Sequence, residues 1–137
     1  MSTDKLNLIA KKLCEKPKGI LAADESTNTI KKRFDSINVE SNFEMRRAYR
    51  ELLFKTPNLK NFISGVILFD ETIRQEDSEK TSLAKYLLDN DIIPGIKVDT
   101  GAIHLEKNSQ EKLTEGLDGL GKRLEEYKSL GASFTKW

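Results

Sequence analysis

Four apolar runs of strand length punctuate this chain: "GILAAD" (19–24), "ISGVILFDE" (63–71), "IIPGIKVD" (92–99) and "ASFTKW" (132–137). Helical patterns fill the intervals between them, and that alternation is the strongest constraint on the fold. Val66–Phe69 is apolar without alternation, as expected of a strand covered on both faces. "NFEMRRAYRELLFK" places Phe43, Arg46, Arg47, Arg50 and Leu53 on helical spacings behind a cap at Asn42. "KTSLAKYLLDN" offers Leu83, Tyr86 and Leu87, with Thr81 or Ser82 as its cap. "LGKRLEEYKSLG" offers Leu120, Leu124 and Tyr127 and stops at Gly131. At the amino terminus, Leu6, Ile9 and Leu13 fall on one helical stripe. The order is a helix, strand–helix three times, and a last strand. Such an order predicts α/β architecture, a parallel sheet with helices outside it. Right-handed crossovers leave two forms open, a doubly wound sheet or part of an α/β barrel.

The 137 residues are read as one domain, an amino-terminal helix over 1–17 followed by strand–helix units over 18–137. Four strands do not close a barrel, which takes eight and typically ~250 residues, so the expectation is a partial barrel and a sequence that is a piece of something longer. The stretch 99–119 is expected to be a long strand–helix loop, a kind of segment that is often functional. Lys and Arg number 23 against 22 Asp and Glu, a net charge of +1 that removes the electrostatic footprint of a nucleic-acid binder. No apolar run approaches the length of a membrane span. Cys14 is the single cysteine, and the amino terminus lacks a continuous apolar segment of the secretory type; a reducing, cytoplasmic setting is expected.

Side chains two apart share a strand face. Ile20, Ala22 and Asp24 therefore share one, Lys97 and Asp99 face away from Ile96 and Val98, and Phe134 shares a face with Lys136. Three of the four strands thus put a charge near the carboxyl end, where parallel α/β folds bind ligands. Lys97 and Lys136 are expected to favour an ionised Asp24, an arrangement suited to an anion beside a carbonyl. The alternative is an Asp that caps a helix and lysines that snorkel to solvent. In "STNTIKKR", the Ser26 and Thr29 hydroxyls at a helix start can bind phosphate, with Arg33 about one turn later; a plain capped helix with a basic face is the other reading. "GLDGLGK" lacks the spacing of either glycine-rich phosphate fingerprint and reads as a turn. His104 has no Cys or His companion and is expected to be exposed in a loop, and no metal-ligand spacing occurs.

"KGILAADEST", "RRAYRELL", "GVILFDET", "GIKVDTGA" and "TEGLDGLGKRLEEYKSLGASFTKW", in order and at compatible spacings, resemble the class I fructose-bisphosphate aldolases over about Lys18 to Trp137. The resemblance implies the amino-terminal half of a (β/α)8 barrel. It also implies reversible glycolytic cleavage of fructose 1,6-bisphosphate to two triose phosphates, through a lysine Schiff base and without metal or other cofactor. By the same resemblance Asp24 positions the Schiff-base region and moves protons, Lys97 binds substrate and phosphate, and Lys136 aids proton transfer and carbonyl activation. Ser26 and Thr29 would contact one phosphate and Arg33 the other, and the complete protein would be a homo-oligomer. Where the family usually has "STGS", this chain has Asn28 and Thr29, which keeps the hydroxyl.

The family's Schiff-base lysine lies on a strand beyond the fourth, so none is expected within these residues. The imine is the electron sink for carbon–carbon cleavage, and without it the remaining groups should bind and orient but not catalyse alone. The competing expectation is a non-catalytic half-barrel that binds a sugar phosphate or another protein.

Overall fold

The computed structural model describes residues 3–106 and 110–137. Helix α1 (Thr3–Leu13) leads to β1 (Gly19–Ala23), α2 (Thr27–Asp35), α3 (Phe43–Phe54), β2 (Ile63–Leu68) and α4 (Asp70–Ile73). Then come α5 (Leu83–Asp89), β3 (Ile93–Lys97), β4 (Gly101–His104), β5 (Lys112–Glu115), α6 (Leu120–Ser129) and β6 (Phe134–Lys136). Strands β1, β2, β3 and β6 pair in that order, all parallel, and among the described residues they do not close a barrel. Each crossover adds a strand beside the previous one, as in the wall of an α/β barrel.

The capping chemistry follows the sequence. Asn42 accepts from the Met45 N–H at 2.9 Å to open α3, and Ser82 rather than Thr81 caps α5. Two segments depart from the sequence-based expectation. The run 63–71 stops being a strand at Leu68, and Asp70 and Glu71 form the acidic first turn of α4, a placement that the positive end of a helix favours. The stretch 99–119 is not a bare loop but carries an antiparallel hairpin, with Ile103 opposite Leu113 and His104 opposite Lys112. Apart from Gly101, every residue of both hairpin strands is exposed. No face is buried, so no alternation announces these strands. His104 is exposed as expected, but in β4 rather than in a loop.

Register divides the sheet into two faces. Ala23, Leu68 and Ile96 are in line across β1, β2 and β3, and with Val66 they pack against Phe54, Ile73, Leu83, Leu87 and Tyr127 from the helices. This face holds the hydrophobic core. On the other face Ala22, Ile67, Gly95 and Phe134 align across all four strands. The Phe134 ring lies flat over Gly95, where three of its atoms come closer than 3.0 Å to the place a Cβ would occupy. Gly65 is covered by the same ring and by the Leu13 side chain, 2.6 Å from its would-be Cβ. Any side chain at 95 must evict the ring, so Gly95→Val is expected to cost about 1–3 kcal/mol. The measurement is a urea midpoint, lowered at unchanged slope; an unshifted midpoint would remove this packing from the account.

Candidate active site

The charged residues at the strand ends meet above the carboxyl edge of the sheet. Asp24 follows β1 directly and is 7% exposed. Lys97 and Lys136 end β3 and β6 and are register partners, side by side. After Asp24 the chain turns into α2, where Ser26 Oγ accepts from the Thr29 N–H at 3.4 Å and lies 3.1 Å from Thr29 Oγ1. One cavity of about 890 Å³ collects Asp24, Ser26, Thr29, Lys97, Asp99 and Lys136, and Asp70, Arg123 and Tyr127 form another part of its wall. It is a concave polar site of the size small ligands occupy.

Lys136 Nζ donates to Asp24 Oδ2 at 2.6 Å. Lys97 does not share that carboxylate. Its Nζ donates to Asp99 Oδ1 at 2.5 Å and to the Asp99 carbonyl at 2.8 Å. The expectation of two lysines on Asp24 is corrected here, and the reason is local: Asp99 stands two residues beyond Lys97, within reach of the same ammonium. Burial pushes the Asp99 carboxyl up, but Lys97 and the Gly101 N–H outweigh it and hold it below the usual carboxylate value. Two adjacent ammonium groups are thus each matched by a carboxylate, which moderates their repulsion.

Ser26 and Thr29 line the cavity; Arg33 does not. Its guanidinium is half-exposed and bound to Glu25 Oε1, with Tyr49 Oη at 3.4 Å. Glu25 is a hub that sequence reasoning missed. Arg50, 3% exposed, donates to Glu25 Oε2 at 2.5 Å and to the Glu25 carbonyl at 2.9 Å. Burial raises the Glu25 carboxyl, but its own backbone N–H, Arg50 and Arg33 prevail and hold it below its ordinary value. The available signal was an arginine on the apolar stripe of α3. A similar signal was Arg46, whose two-pronged contact with Glu71 spans 2.7 and 2.8 Å.

Asp70, also missed, repeats the strand-end pattern on β2. Burial raises its carboxyl, but Arg74 and the Tyr127 hydroxyl, 3.0 Å away, lower it further than burial raises it. Among the described residues no group of His, Cys, Asp and Glu could hold a metal ion, and no helix is long and apolar enough to cross a membrane.

The family model for class I fructose-bisphosphate aldolase matches residues 5–137. A probable fructose-bisphosphate aldolase class 1 of Xanthomonas campestris is 56% identical over 137 residues, all of this chain and 41% of that protein. Fructose-bisphosphate aldolase 2 of Plasmodium berghei is 55% identical over 128 residues, 93% of this chain and 35% of that protein. A Plasmodium falciparum fructose-bisphosphate aldolase, solved in a ternary crystal with TRAP and a small-molecule inhibitor, superposes with a TM-score of 0.94. It is 51% identical, over 98% of this chain and 39% of its own. The chain therefore spans about two fifths of the length of the relatives it matches. Its four parallel strands are consecutive staves of an α/β barrel, and the chain belongs to the class I fructose-bisphosphate aldolase family.

Proposed function

We propose that this chain supplies the acid–base and phosphate-binding part of a class I aldolase site, which cleaves fructose 1,6-bisphosphate to dihydroxyacetone phosphate and glyceraldehyde 3-phosphate in glycolysis. The observation that carries it is the Asp24–Lys136 pair at 2.6 Å, beside Lys97 in one cavity at the carboxyl ends of the strands. In this reading Lys136 polarises the substrate carbonyl and Asp24 moves the proton that follows bond cleavage. Lys97, Ser26 and Thr29 address phosphate oxygens. Arg33, tethered at the rim by Glu25, swings to the second phosphate.

The Schiff-base nucleophile lies outside these 137 residues in this reading. A lysine nucleophile must present a free amine, and both cavity lysines already hold a carboxylate, Lys136 with Asp24 and Lys97 with Asp99. The site draws on no cofactor, the setting is cytoplasmic, and the complete enzyme is a homo-oligomer that uses neither nucleic acid nor membrane.

Two measurements with dihydroxyacetone phosphate test the two halves: calorimetry reads binding, and weighing the chain after incubation with borohydride reads any lysine adduct. The expected result is saturable, reversible binding with no added mass on any lysine. An adduct on Lys136 or Lys97 would overturn the placement of the nucleophile, and absence of binding would overturn the phosphate site. A second reading, a non-catalytic interaction half-barrel, draws on β1 and β6 being the outer strands of the sheet, with Ile20 and Trp137 exposed beside them. A stoichiometric oligomer that binds triose phosphate without turnover would favour it.

A further inference from the structure

Arg123, on the first turns of α6, donates from Nη1 to the Val98 carbonyl at 2.9 Å and from Nη2 to the Gly116 carbonyl. Val98 immediately precedes Asp99, where the chain leaves the barrel wall for the β4–β5 hairpin, and Gly116 is where it returns. One guanidinium therefore bridges both roots of the hairpin. A second observation marks the same place. Gly116 has φ +134°, and a Cβ there would lie 2.9 Å from both the Asp99 Cα and the Val98 oxygen. The roots are as close as glycine allows. Asp99 sits between them, with its carboxylate on Lys97 Nζ and on the Gly101 N–H at 3.2 Å. A planar fork can hold two carbonyls in one fixed geometry, which a point ammonium cannot.

We propose that Arg123 is a positioning residue: by clasping the Val98 and Gly116 carbonyls it fixes Asp99, and through Asp99 the ammonium of Lys97. The bearing on catalysis rests on the aldolase reading; the clasp itself does not. Arg123 touches no reacting atom in this scheme. It sets where the phosphate-binding lysine stands, and it ties a surface hairpin to the floor of the cavity.

Arg123→Lys is the deciding variant, because it keeps the positive charge and loses the fork. Arg123→Met removes both. Asp99 is followed in the unliganded chain by carboxyl-carbon NMR across an acid titration, and dihydroxyacetone phosphate affinity is measured by calorimetry. The titratable groups facing that space are Asp24, Glu25, Asp70, Lys97, Tyr127 and Lys136 besides Arg123 itself, and each variant leaves their side chains in place. Asp99 is expected to titrate at higher pH in both variants, further in Arg123→Met. Affinity is expected to fall on the order of tenfold in Arg123→Lys, as misplaced binding groups do. A folded Arg123→Lys protein with the wild-type Asp99 titration would overturn the clasp, whether or not Arg123→Met folds. A wild-type chain that binds no dihydroxyacetone phosphate, while Arg123→Lys still moves Asp99, would overturn the aldolase reading and leave the clasp standing.

Discussion

Arg50→Met is expected to lower the stability of the fold by about 3 kcal/mol, the lower end of the range for breaking a buried ion pair. Arg50 is the buried partner, at 3% exposure, and makes four contacts with three neighbours at once. It donates to the Glu25 carboxylate and carbonyl and to Thr72 Oγ1 at 3.3 Å, and it lies over the Tyr49 ring at 5.4 Å. Methionine keeps much of the volume but leaves one oxygen of a carboxylate, and a carbonyl, without their Arg50 donor. Arg33 still holds the other Glu25 oxygen, which is why the loss stays at the lower end.

Urea unfolding of the two proteins gives the difference, and Arg50→Met/Glu25→Gln should recover part of it because the stranded charge is gone. The pH profile carries a second signature. The folded Glu25 carboxyl titrates below its ordinary value of 4.5. Its stabilisation is therefore complete above that pH and is lost as pH falls through the folded value. Without Arg50 the depression is smaller, so the variant should lose less stability than wild type between neutral pH and acid. Equal acid slopes would mean that Arg50 does not govern Glu25.

Lys136→Met is expected to weaken dihydroxyacetone phosphate binding about 10- to 100-fold, the worth of one or two charge-assisted hydrogen bonds. Lys136 is the partner of Asp24 across 2.6 Å, and the two stand 112 positions apart in the chain. Removing the ammonium leaves the carboxylate, 8% exposed, facing a cavity without its donor. Lys136 itself is 42% exposed, so solvent moderates the effect on stability, and the loss should appear chiefly in binding. Asp24→Asn separates the two roles: it should fold and bind with smaller loss, because the amide still meets Lys136 through its oxygen, yet it cannot carry a proton. Calorimetry on both variants checks this, and an unaltered affinity in Lys136→Met would remove Lys136 from the site.

The four strands were legible because each is an apolar run with helical patterns on either side, and Val66 and Leu68 are as buried as their neighbours imply. Asp24, Lys97 and Lys136 were legible for a related reason: a charge ending an apolar run has few places to go but the carboxyl edge of the sheet. What strand alternation could not supply was who pairs with whom. Lys97 pairs with Asp99, two residues on, and the hairpin root beside that pair is completed by Gly116 and Arg123, 17 and 24 residues further along the chain than Asp99. Arg50 was visible as a member of a helical stripe, but its burial depends on α3 lying against the turn after β1. The hairpin was silent because its strands are solvated on both faces, and α4 because four residues are too few to establish a period.

The ring of Phe134 over Gly65 and Gly95 has an evolutionary consequence. Phe134 precedes Lys136 by two residues and shares its face of β6, so the ring packs on the same side of the sheet as the lysine. Positions 65, 95 and 134 are therefore not free to vary one at a time. A lineage that enlarges Gly95 must shrink the aromatic in compensation, whereas one that enlarges Gly65 must first make room at Leu13.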